Sequence, residues 1–144
     1  VNIDFPTTEL NETLVRKYTE QRNFPGIRSI ITIENNTFYQ VCDGTSRRIL
    51  YIRLASHDIY FNKNIIAASL GYYTNQSATT ITGMSDNNYF NAPNYTASSQ
   101  SNAKNDTGTY TLLDPGFADA ANAYFTISNP TLISKGIGDT RWIP

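Results

Sequence analysis

Hydrophobic and polar positions alternate in short bursts along the chain. In Ile31-Thr32-Ile33-Glu34 and again in Ile59-Tyr60-Phe61-Asn62, apolar residues fall at every second position. That is the period of a strand with one buried face. Leu50, Ile52 and Leu54 alternate with Ile49, Tyr51 and Arg53, which predicts a strand within 47–54 with the first three inside. Asp43-Gly44 marks a turn before it. Thr79-Thr80-Ile81-Thr82 is β-branched throughout and reads as a further strand. Residues 8–23 follow a different period. Leu10, Leu14, Val15 and Tyr18 fall at helical spacing, predicting a helix of about three turns that stops before Pro25-Gly26. Residues 91–109 are rich in Asn, Ser and Thr, lack apolar periodicity, and read as a long polar loop.

The alternating segments repeat. Residues 31–38 align without gaps on residues 59–66, so that Ile31 falls on Ile59, Ile33 on Phe61, Phe38 on Ile66 and Asn36 on Asn64. A looser third copy puts Asn88 and Phe90 in the places of Asn64 and Ile66. Ile3 and Phe5 suggest a degenerate copy before the first. Leucine-rich repeats of similar length need a regular leucine framework, and propeller blades need ~40 or more residues. Short strands at this period fit the coils of a parallel β-helix, in which equivalent residues stack. Asn36, Asn64 and Asn88 would then form an Asn ladder. An Asn at a turn bonds its own backbone, tolerates the left-handed conformation, and bonds the Asn stacked on it. The fold class expected is all-β: a short parallel β-helix of three to five coils, with one N-terminal helix and a C-terminal closing coil.

Composition narrows the function. The chain has 144 residues, 11 Lys and Arg against 12 Asp and Glu, and a net charge of -1. A nucleic-acid binder needs a basic face, and this balance offers none. Charged residues make up 16%. In their place stand 16 Asn, 18 Thr and 11 Ser, with 10 Tyr and 7 Phe. Such a chain folds, and favours strands joined by tight turns. One cysteine, Cys42, excludes an internal disulfide, and one histidine, His57, excludes sites needing two. No apolar run reaches the ~20 residues of a membrane span. No metal or other cofactor is expected.

The C-terminal segment carries the sharpest motif. Asp114-Pro115-Gly116 is a turn, and Phe117 an apolar anchor. Asp119 and Asn122 can close a second turn through side-chain bonds to the backbone. Phe125 and Ile127 re-enter a strand. With the tail Ser134-Lys135-Gly136-Ile137-Gly138-Asp139-Thr140-Arg141-Trp142, this resembles the C-terminal domain of right-handed parallel β-helix, pectate-lyase-like surface proteins from polysaccharide-utilisation loci of gut bacteria. That family has no assigned function. Asn35-Asn36-Thr37-Phe38-Tyr39 is also typical of its coils. One departure is Ala123-Tyr124, where Gly-Asp is more usual. The resemblance implies a secreted, periplasmic or outer-membrane-surface location in a bacterium. The family's chains are several times longer, so the single domain 1–144 is expected to be a C-terminal fragment. Upstream coils, or a second chain, would meet its open end.

Enzymes resembling this fold cleave acidic glycans with dense charged groups on adjacent coils. The nearest such set comprises Tyr51, Arg53, His57, Asp58 and Lys63, which could bind a uronate and stack on a sugar face. No two carboxylates stand close there, so no catalytic or metal set is assigned. The leading expectation is a non-catalytic domain whose partner is a polysaccharide or oligosaccharide. A lyase or hydrolase of acidic glycans, and a structural or assembly module, are the alternatives. Trp142 is expected to pack over the last coil, and Cys42 to be a small buried residue.

Overall fold

The computed structural model describes residues 2–4, 29–52 and 57–144. The helix expected over 8–23, together with Arg53 and Leu54, lies outside the described residues. Strands β2 (Ser29–Glu34), β4 (His57–Asn62) and the first half of β6 (Ile81–Phe90) pair in parallel on one side of the molecule. On the adjoining side, β3 (Thr37–Tyr39), β5 (Ile65–Ala67) and the second half of β6 do the same. Strand β7 (Thr109–Thr111) continues the stack by pairing with β6. The result is a short parallel β-helix of about three turns. Ile31 pairs with Ile59, Ile33 with Phe61 and Phe38 with Ile66, the partners read from the repeat. At the other end, β1 (Asn2–Asp4) sets Ile3 beside Ile31, but antiparallel. It is therefore an edge strand, where the sequence suggested a degenerate parallel copy.

Each coil bends at two left-handed residues that stack from coil to coil. Asn35, Lys63 and Asp86 form one column, with φ of 51, 51 and 52°. Gln40, Ala68 and Asn91 form the other, at 53, 52 and 52°. Their backbone N–H groups reach across to the next coil: Asn35 to Asn62 O, Lys63 to Ser85 O, Gln40 to Ala67 O and Ala68 to Phe90 O. The left-handed region costs an ordinary L-residue roughly 1–2 kcal/mol. Here that cost is offset by inter-coil hydrogen bonds that a straighter chain would not make.

The residue after each corner in the first column is an inward Asn. Asn64 Oδ1 accepts from Asn36 N at 3.0 Å and from Asn36 Nδ2 at 3.1 Å. Asn87 Oδ1 accepts from Asn64 N at 3.0 Å and from Asn64 Nδ2 at 3.3 Å. The third rung is thus Asn87, where the sequence suggested Asn88. Strand β6 runs unbroken through its corner at Asp86 and pairs Ile65 with Asn88, so the second repeat is one residue shorter than the one the third copy was aligned on. Asn88 serves the next coil instead. Its Oδ1 accepts from Thr111 Oγ1 at 2.7 Å and Leu113 N at 2.9 Å.

Apolar side chains fill the interior between these walls. Ile59, Phe61, Ile66, Tyr73 and Tyr95 are fully buried in one cluster, and Ile65, Leu132 and Ile137 in a second. Among the described residues of the strand expected within 47–54, residues 47–52, the one β-pairing is a bridge between Arg48 and Tyr72. Ile49, Leu50 and Ile52 all pack on the core, so the strict alternation is broken. Thr79 and Thr80 precede β6, which begins at Ile81. Cys42 is buried.

Residues 91–109 hold more than a loop. Helix α1 (Asn94–Ala97) sinks Tyr95 into the coil interior. The C-terminal segment closes the molecule. Gly116 N donates to Asp114 Oδ1 at 2.8 Å, and Asn122 Nδ2 to Asp119 Oδ2 at 2.8 Å. Ala123 takes the left-handed conformation at φ 62°, which explains why a glycine suits that place. Past it, Phe125 and Ile127 belong to no strand. Phe125 meets Trp142 edge to face, with ring centroids 5.9 Å apart. Helix α2 (Pro130–Lys135) is capped by Asn129 and ends at Gly136 with φ 62°. Beyond it the chain folds back over the first corner column. Asn35 Nδ2 donates to Gly136 O at 2.7 Å, and Gly138 N to Lys63 O at 2.8 Å. Asp139 then caps the final turn. The hydrogen bond from Arg141, at 2.5 Å, holds its carboxyl below the ordinary carboxylate range.

Candidate functional site

Strand alternation decides which side chains face outward. On β4, His57, Ile59 and Phe61 are buried, while Asp58, Tyr60 and Asn62 are half-buried on the outer face. Register places Thr32, Tyr60 and Gly83 in one row across the sheet, and Glu34, Asn62 and Ser85 in the next. A Cβ at Gly83 would fall 3.0 Å from Tyr60 Cδ1 and 3.4 Å from Cε1. The Tyr60 ring therefore lies over the glycine backbone, in space that any larger residue would fill. Along the same face the Thr82 hydroxyl donates to Asp58 Oδ1 at 3.4 Å, and Ser85 Oγ to Asn62 Oδ1 at 3.1 Å.

Beside this row the sheet stops short. Strand β7 pairs with β6 only from Ser85 onward. The preceding stretch of β6 faces a loop, not a strand. Between residues 79–84 on one wall and residues 103–105 and 107–108 on the other opens a groove of about 610 Å³. Its size falls within the ~300–1,000 Å³ of small-molecule sites. Threonines 79, 80, 82 and 107 and Asn105 give it a polar lining, in which Lys104 is the one charged residue.

The loop wall is held from inside. Asp106 is 3% exposed. Its Oδ2 accepts from Tyr89 Oη at 2.6 Å and from Asn87 Nδ2 at 3.0 Å, and its Oδ1 from Gly108 N at 2.8 Å. The Asn ladder thus ends on a buried carboxylate. Tyr89 also bonds Tyr73, and Tyr95 bonds Ser69 Oγ at 2.8 Å. The rings of Tyr89 and Tyr95 stack at 12°. Burial, above all, raises the Tyr73, Tyr89 and Tyr95 hydroxyls well above the ordinary phenol value of 10.0. The Asp106 charge adds to the rise at Tyr73 and Tyr89.

A raised native value makes these tyrosines a pH-dependent source of stability. Their contribution is full below the ordinary phenol value and is lost as pH climbs from there toward the raised values. In an alkaline titration, Tyr73, Tyr89 and Tyr95 should yield phenolate absorbance only as far-UV circular dichroism reports unfolding. A phenolate signal from all 10 tyrosines ahead of that transition would contradict the buried network.

The residues singled out from sequence that the structure describes lie on different faces of the coils. Asp58 faces outward beside the groove strand, whereas His57, its neighbour, is 1% exposed in the interior. Lys63 is exposed at a left-handed corner. Tyr51 is exposed and carries the Arg48 guanidinium 4.5 Å from its ring centroid, and Arg48 Nη1 also donates to Asn75 Oδ1 at 2.7 Å. Arg53 lies outside the described residues. Lys104, Thr82 and Gly83 were not singled out. The β-branched run at 79–82 was the one sequence signal near them, and it reads as a strand.

The fold and groove define a short parallel β-helix domain with a polar outer face. The sequence matches the family described as Domain of unknown function (DUF5123) over residues 31–142, and the chain belongs to that family. No curated protein and no solved structure matches it. Among the described residues, no helix is long and apolar enough to cross a membrane.

Proposed function

We propose that this chain is a non-catalytic carbohydrate-interaction domain of a secreted or cell-surface polysaccharide-utilisation protein. The observation that carries the reading is the Tyr60 ring laid over Gly83 beside a groove lined by hydroxyl and amide groups. A ring face takes the apolar face of a sugar, and neutral donors and acceptors take its hydroxyls. The dispersal of His57, Asp58 and Lys63 to the interior, the outer face and a corner favours binding over acid–base chemistry, which needs those groups within reach of one bond.

Tyr60→Ala should weaken binding of the best oligosaccharide from a panel of plant and host glycans by roughly tenfold or more, about 1.4 kcal/mol. Titration calorimetry measures it. Thermal unfolding of the variant, read alongside, checks that the fold survives the loss of the ring over Gly83. Absence of binding by the parent protein across neutral and acidic glycans would overturn the reading.

A further inference from the structure

We infer that the free edge of β7 pairs with the same edge of a second copy of this chain, antiparallel, across a two-fold axis at Thr109. This goes beyond the carbohydrate reading and does not depend on it. Strand β7 ends the stack and pairs only with β6. Among the described residues, the backbone of residues 109–111 makes no backbone hydrogen bond beyond that ladder. Such an edge is a template for another strand, and proteins commonly blunt it with charge or proline. Residues 107–113 read Thr-Gly-Thr-Tyr-Thr-Leu-Leu and contain neither. Tyr110 and Leu112 are 42% and 63% exposed. The Tyr110 ring meets that of buried Tyr89, with centroids 5.8 Å apart, so the interior of the stack comes to the surface here.

The charges that flank the edge select its partner. Lys104 lies five residues before Thr109, and Asp114 five after it. Antiparallel pairing about Thr109 therefore sets Lys104 of each copy opposite Asp114 of the other, so that two ion pairs bracket an uncharged middle. Among the described residues no ion pair holds either group. Both are anchored: Lys104 N donates to Thr74 O at 2.9 Å, and Asp114 Oδ1 accepts from Gly116 N at 2.8 Å. A head-to-tail stack of copies needs a free first coil, but there β2 already carries β1 on its edge. The β7 edge is left to meet its own copy, and a two-fold contact of that kind closes at two chains.

Sedimentation velocity from low-micromolar to submillimolar protein should show a reversible monomer–dimer equilibrium that weakens as salt is raised. Leu112→Lys removes apolar contact and brings a second cation toward Lys104 of the other copy. It should weaken the dimer by roughly tenfold or more. Lys104→Met and Asp114→Asn should each weaken it several-fold, and the double variant no further than the weaker single, because both changes remove the same pairs. Asparagine at 114 keeps an acceptor for Gly116 N. Far-UV circular dichroism and thermal unfolding of dilute protein check that each variant folds. A monomer at every concentration, growth past two copies, or a dimer unmoved by Leu112→Lys or by both charge changes would overturn the pairing and leave the carbohydrate reading standing.

Discussion

Asn64→Ala is expected to destabilise the domain by about 3–5 kcal/mol, enough to leave a domain of ordinary stability of about 5–15 kcal/mol largely unfolded at modest denaturant. Asn64 is completely buried. Its Oδ1 receives Asn36 N, and its Nδ2 reaches Ile33 O and Asn62 O, both at 2.9 Å. Alanine removes the side chain but leaves these backbone groups in place and away from water. Each buried group left unpaired costs about 1–3 kcal/mol. The loss should appear as a lower urea midpoint. Asn36→Ala serves as the comparison, because its side chain lies nearer the surface and donates to Glu34 O. It should cost clearly less. Equal losses at the two positions would mean that burial of the central rung adds nothing to its weight.

Gly108→Ala is the second large effect. A Cβ there would stand 3.0 Å from the Met84 carbonyl carbon and closer still to its oxygen. Both atoms are backbone, so no rotamer change relieves the overlap. Either β7 separates from β6 or the loop wall of the groove moves. Overpacking of this kind costs typically 1–3 kcal/mol, and the displaced groups include Gly108 N on Asp106. The variant should lower the thermal midpoint by several degrees and abolish sugar binding. Gly44→Ala is the control, since its Cβ would meet only Arg47 Cγ at 3.7 Å. A Gly108→Ala protein with parental stability and binding would show that Met84 and Gly108 do not hold the groove shut at that end.

What the sequence reveals here depends on local regularity. Residues 31–38 and 59–66 align without gaps, and their pairing could be read directly because period and burial agree. The third coil was read one residue out of register. Tyr89, not Phe90, occupies the place of Ile66, and a tyrosine in a coil interior is acceptable only because Tyr73 and Asp106 satisfy its hydroxyl. Asp106 lies 19 residues from Asn87 in sequence, in a segment with no periodic pattern to mark it as interior. The groove was illegible for the same reason. Its walls come from 79–84 and from 103–105 and 107–108, joined only by the fold. His57 and Asp58 illustrate a different limit. Adjacent residues of a strand face opposite ways, so a cluster in sequence is dispersed in space.

The backward fold of the C-terminal segment alters how the molecule comes apart. A stack of coils touching only neighbours can fray from either end, one unit at a time. Here the Asn35 side chain holds Gly136 and Gly138, across sequence separations of 101 and 103 residues. Closing a loop of that length costs roughly 4 kcal/mol of chain entropy, which slows the search for the native state. Once closed, the clasp joins the first described coil to the tail, so neither end can loosen without releasing the other. A repeat architecture clasped in this way is expected to melt in one cooperative step, with circular dichroism and tyrosine fluorescence giving the same midpoint.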